Sequence, residues 1–276
     1  MAIDTPAKMD AALATAQSFE IIKVSATAEG AATYHSLWKL GNVPVAGSNP
    51  PAYTAGSGYI PTRATTGALN YTLPAGGQET RIIQGAIVGG TVGTLYVYDR
   101  LWACSGFNTT TLTAQNVTTP GTLTAARDPL NGLDVWPFGE VYTAPGATTA
   151  TWTLTGTDAA GNTNRTWTYT HPANAESVGQ MFRFFPGGGS PAATMGIRQV
   201  TSLTCSASSG TAGDVGITLL RELATIPLMN TNIATMMDYA QFGRTVVYDD
   251  ACLALKVLCT TTNTGLIQGR LFLGQG

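Results

Sequence analysis

Charge is what this chain has least of. Only 11% of its 276 residues are charged, against roughly 25% in ordinary soluble domains. The 14 Lys and Arg residues are scattered, and the formal net charge is −2. No basic cluster exists to follow a phosphate backbone, so direct nucleic-acid binding is not expected. Histidine is nearly absent, with His35 and His171 alone. The four cysteines, Cys104, Cys205, Cys252 and Cys259, form no CxxC pair. Neither a zinc site nor any other cofactor is therefore expected. Cys252 and Cys259 stand seven apart, which puts them on opposite faces of a continuous strand, and buried reduced thiols are the plain reading of all four. No run reaches the roughly 18 apolar residues of a membrane span. The opening "MAIDTPAKMDAALATAQSFEII" lacks the charged start and apolar run of a signal peptide, so synthesis and folding in a cytosol are expected.

The signatures of catalysis are also missing. There is no GxxxxGK phosphate loop, no HExxH and no GxSxG elbow. A nucleophile triad would need one of the two histidines as base. His171 precedes Pro172 at a hairpin end and reads as a solvated turn residue, while His35, within "TYHSLWKL", reads as structural. Among the carboxylates, Asp249 and Asp250 are adjacent and would face opposite ways on a strand. Asp99 is followed by Arg100, where an ion pair or turn hydrogen bond is the default. "DAAGN" at 158–162 offers too few oxygen ligands for a calcium loop, and a tight turn explains it. No enzymatic activity is expected.

What the chain does have is threonine, alanine, 32 glycines, 14 prolines and a 44% hydrophobic content. That composition suits a turn-rich β protein with a sizeable core. Thr5 to Phe19 reads as an amphipathic helix, with Thr5 as cap and Pro6 in the first turn. Residues 46–77 are dense in Gly and Pro and form a long irregular loop, of the kind that is functional or held by a partner. Strands are expected at 81–89, 92–106, 132–143, 181–185, 196–208 and 214–223. A short helix is expected after Pro227, ending at Gly243. A closing hairpin is expected to turn through Thr261–Gly265. The fold class is mainly β: a β-sandwich or jelly-roll-like body with a short N-terminal helix and long Gly/Pro-rich loops. The expected division is a helical arm at 1–20, a sandwich body at 21–106 and 196–276, and an inserted β lobe at 107–195.

Within that lobe, "TWTLTGTDAAGNTNRTWTYTHP" (151–172) alternates bulky residues with threonine on both sides of a turn. Trp152, Leu154, Trp167 and Tyr169 share one face of the hairpin. Thr151, Thr153, Thr155, Thr166, Thr168 and Thr170 share the other. A solvated strand ordinarily carries lysine and glutamate, and this one carries almost none. In "MFRFFPGGGSP", Phe182 and Phe184 fall on one face and Phe185 on the other, so the strand is covered on both sides, by its own fold or by a subunit. Thr151, Thr153, Thr155, Thr166, Thr168, Phe182, Phe184 and Phe185 are accordingly the candidate interface residues.

Two stretches resemble known families. The hairpin 151–170 looks like the closing strands of bacterial and phage immunoglobulin-like modules, which often turn through a similar Asp-Ala-Ala-Gly-Asn segment. "LYVYDRLWACSGF" (95–107) resembles a segment of virion structural proteins of tailed bacteriophages. The second resemblance implies a head or tail component, and it carries over no catalytic residue. Major capsid shells use a long spine helix and a charged extended loop, which are not evident here, and a protein lining DNA would be more basic. A capsid decoration or cement protein fits best: a rigid β body with a gripping arm and a neutral contact surface. The implied partners are the major capsid protein and copies of this chain, as a trimer on the capsid surface of the virion. The alternatives are a tail-tube or other tail protein, or a carbohydrate- or receptor-binding β module.

Overall fold

The structure is a computed structural model that describes residues 3–24, 30–55, 58–118, 121, 123–174, 176–187, 196–243, 245–248, 250–262 and 265–276. Among the described residues one α-helix, α1 (Pro6–Ala14), precedes the strands β1 (Gln17–Val24), β2 (Tyr34–Ser36), β3 (Thr80–Gly89) and β4 (Gly93–Asn108). Next come β5 (Gln115–Asn116), β6 (Trp136–Thr143), β7 (Ala150–Asp158), β8 (Arg165–His171), β9 (Gln180–Arg183) and β10 (Phe185–Pro186). The series ends with β11 (Ile197–Cys205), β12 (Asp214–Leu228), β13 (Thr235–Asp238), β14 (Val246–Val247), β15 (Leu253–Cys259) and β16 (Leu266–Gln275). The fold is mainly β with one short N-terminal helix.

The chain forms two units: Met1–Ser48, Thr62–Asp99 and Glu222–Gly276 in the first, Asn49–Pro61 and Arg100–Arg221 in the second. The second unit therefore takes in 100–106 and 196–221, which the expected lobe at 107–195 leaves out. The reason lies in β4 and β12, each a long strand whose residues divide between the units. A sequence reading assigns a continuous strand to one domain.

In the first unit, an antiparallel sheet runs β1–β16–β3–β13, with β14 also on β3. The second layer is β15 paired with β2 and with the Gly93–Asp99 part of β4. Ile21, Ile82, Ile87, Leu271 and Leu273 from the sheet meet Leu95, Val97, Leu253, Leu255 and Val257 in one core. In the second unit, the sheet β10–β8–β7–β11–β5 faces β6, which pairs with β9 and with β12. Trp102, Phe107, Val141, Trp152, Leu154, Trp167, Phe182, Phe184, Val215 and Ile217 fill the core between these layers. Each unit is thus a two-layer β body with an apolar interior.

Several expectations change. The helix is shorter than 5–19. Thr5 does cap it, accepting from the Lys8 amide, but from Gln17 the chain pairs with β16, Phe19 opposite Leu271. The helix lies on its own unit rather than projecting as an arm: Ala12 is fully buried, against Gly274 of β16. No helix follows Pro227; Thr235–Asp238 pairs with β3. The Asp238 carboxylate then accepts from the amides of Ala240 and Gln241, a side-chain turn that competes with helix. Trp136, rather than residue 132, opens β6, because Gly132 turns at φ +86°. β15 and β16 do not form a hairpin, since they join different sheets; part of their connection, 263–264, lies outside the described residues.

The Gly/Pro-rich loop is held by its own chain. In the second unit, Ser105 Oγ donates to the Pro50 carbonyl (2.6 Å), and Tyr59 exchanges backbone bonds with Ala103. In the first, Trp38 is buried and donates its indole N–H to the Ser48 carbonyl (2.9 Å). Gly47 passes so close to that ring that a Cβ would lie 2.1 Å from Trp38 Cε2. Gly47→Ala should therefore cost about 1–3 kcal/mol in urea unfolding, as overpacking does. Ser48→Ala keeps the accepting carbonyl and should stay within about 0.5 kcal/mol of wild type.

Candidate functional site

The threonine hairpin forms as its alternation dictates. β7 and β8 pair in register, Thr151 opposite Thr170, Thr153 opposite Thr168 and Thr155 opposite Thr166. Trp152, Leu154 and Trp167 are buried between the layers. The turn is closed by Asp158: its two oxygens accept from the amide (2.9 Å) and side chain (2.8 Å) of Asn162. Burial alone would raise the Asp158 carboxyl, but these bonds and the Arg165 charge hold it below its ordinary value. Its oxygens are committed to the turn.

Neighbouring strands extend the outer face. Residues directly opposite one another share a face. One row runs Phe185, Thr168, Thr153, Thr204 across β10, β8, β7 and β11. A second runs Thr166, Thr155, Ser202, Asn116 to β5. None of these side chains is ionisable. Most of the threonines are half-buried by their neighbours, and Thr170 is exposed. Phe185 is 57% exposed. Beside it, the Arg183 guanidinium lies 3.8 Å over the Trp136 ring and 5.4 Å from the Phe185 ring, a cation–π arrangement.

The phenylalanines separate. Phe182 and Phe184 are core residues, 4% and 0% exposed. Phe182 stacks on Tyr169 with ring centroids 4.0 Å apart, and lies 5.5 Å from Phe184. They are covered by their own fold and cannot serve an interface. The chain turns between β9, which joins β6, and β10, which joins β8. That change of sheet sends Phe185 outward. The outer face with Phe185 is the surface that the structure leaves open.

Several other polar clusters are internal, and the sequence reading missed them. In the second unit Arg100 and Glu140, both 0% exposed at the side chain, pair at 2.8 Å. Tyr142 accepts from Arg100 and donates to Glu140; burial pushes its hydroxyl well up. Arg100 thus pairs with Glu140, not with the adjacent Asp99, whose carboxylate accepts from the Cys252 amide (2.8 Å). Arg221 binds Asp128 and Asp134, each at 2.6 Å. In the first unit, Lys256 is buried and pairs with Glu222; its ammonium sits 4.3 Å from the Tyr34 ring and 4.6 Å from the Tyr96 ring. Asp250 pairs with Arg63 at 3.5 Å, while Asp249 lies outside the described residues. All four cysteines are buried, and none is in a disulfide. Among the described residues no three His, Cys, Asp or Glu side chains are grouped to hold a metal ion. A signal for the ion pairs was present: Arg100, Glu140 and Lys256 each interrupt an apolar run.

The histidines divide. His35 is buried, and its Nε2 accepts from the Gly30 amide (2.9 Å), as a structural histidine should. His171 is not a solvated turn residue. It is fully buried, with Trp152 stacked on its ring at 4.8 Å.

No protein-family model matches the chain, and no curated protein matches it. Among solved structures, it aligns over 94% of its length with a chain from the structure of infectious bursal disease virus, Gx strain, at 12% identity and a TM-score of 0.15. The chain spans 63% of that viral chain. A TM-score so low carries no argument about fold or function.

Two measurements follow. Phe184→Ala should cost about 3–5 kcal/mol in urea unfolding, whereas Phe185→Ala should stay within about 0.5 kcal/mol. The second concerns His35, whose burial pushes its pKa down to about 4. Between about 6.5 and that value the unfolded chain binds a proton that the folded chain refuses. The stability this histidine contributes is complete above pH of about 6.5 and falls, by up to about 3 kcal/mol, as pH drops toward 4. His35→Asn should remove that part of the slope; equal slopes in both proteins would refute it.

Proposed function

We propose that this chain is a structural virion protein of a tailed bacteriophage, a capsid decoration protein that associates through the outer threonine face of its second unit, as a trimer on the capsid surface. The carrying observation is that face: adjacent strands aligned in register, side chains without charge, and an exposed phenylalanine at one end of a row. A charged face buried against a partner must have each charge paired, or association costs more than it returns. Threonine avoids that requirement. Its methyl packs, and its hydroxyl both donates and accepts, so facing threonines satisfy one another. Phe185, flanked by Arg183 and Trp136, supplies residue types that concentrate binding energy at contacts. The virion assignment itself rests on the resemblance of residues 95–107 to tailed-phage structural proteins.

The Trp136–Arg183–Phe185 stack also favours a second reading, a carbohydrate- or receptor-binding module, since aromatic rings at a surface can receive sugar faces.

Light scattering on the purified chain separates these. The decoration reading expects a trimer that binds shells of the major capsid protein. Replacing Thr153 and Thr168 together by Glu should reduce it to folded monomers and abolish shell binding. Rings of six or growing tubes would place the protein in the tail instead. A monomer that ignores shells but binds glycans, and loses them on Trp136→Ala, would establish the second reading.

A further inference from the structure

A buried cluster in the second unit joins three titratable side chains outside the threonine face. His171 ends β8, Tyr169 stands two residues before it, and Glu176 follows in the chain. Both His171 and Glu176 are buried, with side chains 0% and 1% exposed. The titratable groups bearing on Glu176 are Tyr169 and His171. The remaining neighbours of the imidazole are uncharged: Trp152 of β7 stacked on the ring, and the Gly146 carbonyl from the β6–β7 connection. Phe182 of β9 packs on Tyr169 and Trp152.

Hydrogen-bond logic fixes the tautomer. Nε2 of His171 lies 2.8 Å from the Gly146 carbonyl oxygen. A carbonyl only accepts, so Nε2 carries a hydrogen. In a neutral ring Nδ1 is then a bare lone pair, and it faces Glu176 Oε1 at 3.5 Å. Against an ionised carboxylate, that would set a lone pair against a negative charge, both out of water. One added proton removes the conflict.

We propose that His171 and Glu176 hold one proton in common, between Nδ1 and the facing carboxylate, and that this proton fastens the Glu176 turn onto the end of β8. Two contacts place it on the ring: Trp152 stacks at 13° to the imidazole, which favours a cation, and the Tyr169 hydroxyl donates to Glu176, which favours the carboxylate. Burial pushes the Glu176 carboxyl up, so an ionised Glu176 calls for a positive partner beside it. Without that proton the turn that runs from Glu176 to Gln180 loses its tie to β8.

Ring nitrogen and side-chain carboxyl NMR shifts of the intact protein test this, with His171 assigned by comparison with His35→Asn. At pH 7 the expected state has both His171 nitrogens protonated beside an ionised Glu176; a neutral ring beside a protonated Glu176 would support the shared proton but overturn its place on the ring. A neutral ring together with an ionised Glu176 would overturn the shared proton. In Glu176→Gln, His171 should revert to a neutral ring at pH 7, and amide exchange at Ser177–Gln180 should quicken roughly tenfold or more. Unchanged exchange in that folded variant would overturn the fastening role.

Discussion

The described buried charges of this protein meet an opposite charge or backbone polar groups inside the same β unit. Among the described residues five Lys and Arg side chains are buried: Lys23, Arg100, Arg127, Arg221 and Lys256. So are five carboxylates: Asp99, Asp128, Glu140, Asp158 and Glu176. Such residues are rarely buried unless partnered, and here the partners are specific. Arg100 meets Glu140, Arg221 meets Asp128, and Arg127 donates to the Pro61 carbonyl. Lys23 has two carbonyls, those of Leu40 and Pro44, and its pKa falls to about 8 through burial. Where both partners sit on strands, as Arg100 and Glu140 do, the pairing is satisfied by one register. A slip by one residue would turn the charge to the other face and leave its partner uncompensated.

That constraint bears on the surface as well. A chain with few charges that places ten of those described inside has few left for its outer faces. On the sheet β10–β8–β7–β11–β5 the open side is threonine, serine and asparagine with one phenylalanine. Threonine is well suited to this position. Its branched Cβ favours the extended backbone, and its hydroxyl keeps the face wettable without a charge. Alternation alone then separates the buried tryptophans from the threonines.

Local alternation is why this hairpin was legible in the sequence, turn included. The strands at 81–89, 92–106 and 214–223 were legible for the same reason. The errors share a different cause. Whether Gln17 to Phe19 continues a helix or opens a strand is decided by β16, some 250 residues away in the chain. Whether the segment after Pro227 coils or pairs is decided by β3. Turn residues at 261–265 announce a reversal but not which sheet receives the next strand. At the site, the threonines could be read by period, whereas the fate of three phenylalanines depended on β9 and β10 joining different sheets. His171 looked solvated because Pro172 follows it. Its burial comes from Trp152 and Gly146, which no local pattern connects to it.

The edges of the same sheet bear on how a neutral face behaves. A β-sheet offers two routes to association, edge to edge through unpaired backbone, or face to face through side chains. Edge pairing repeats without limit and leads to fibres. Here both outer strands, β5 and β10, are two residues long, and short edge strands give an incoming chain little backbone to pair with. The face, by contrast, carries two rows that each span four strands. An uncharged face between short edges favours contacts through side chains, whose rows have a defined direction and a defined end at Phe185. A directional contact between the face and a different patch of the next copy gives a ring when its rotation closes, and the trimer proposed for this chain requires that closure.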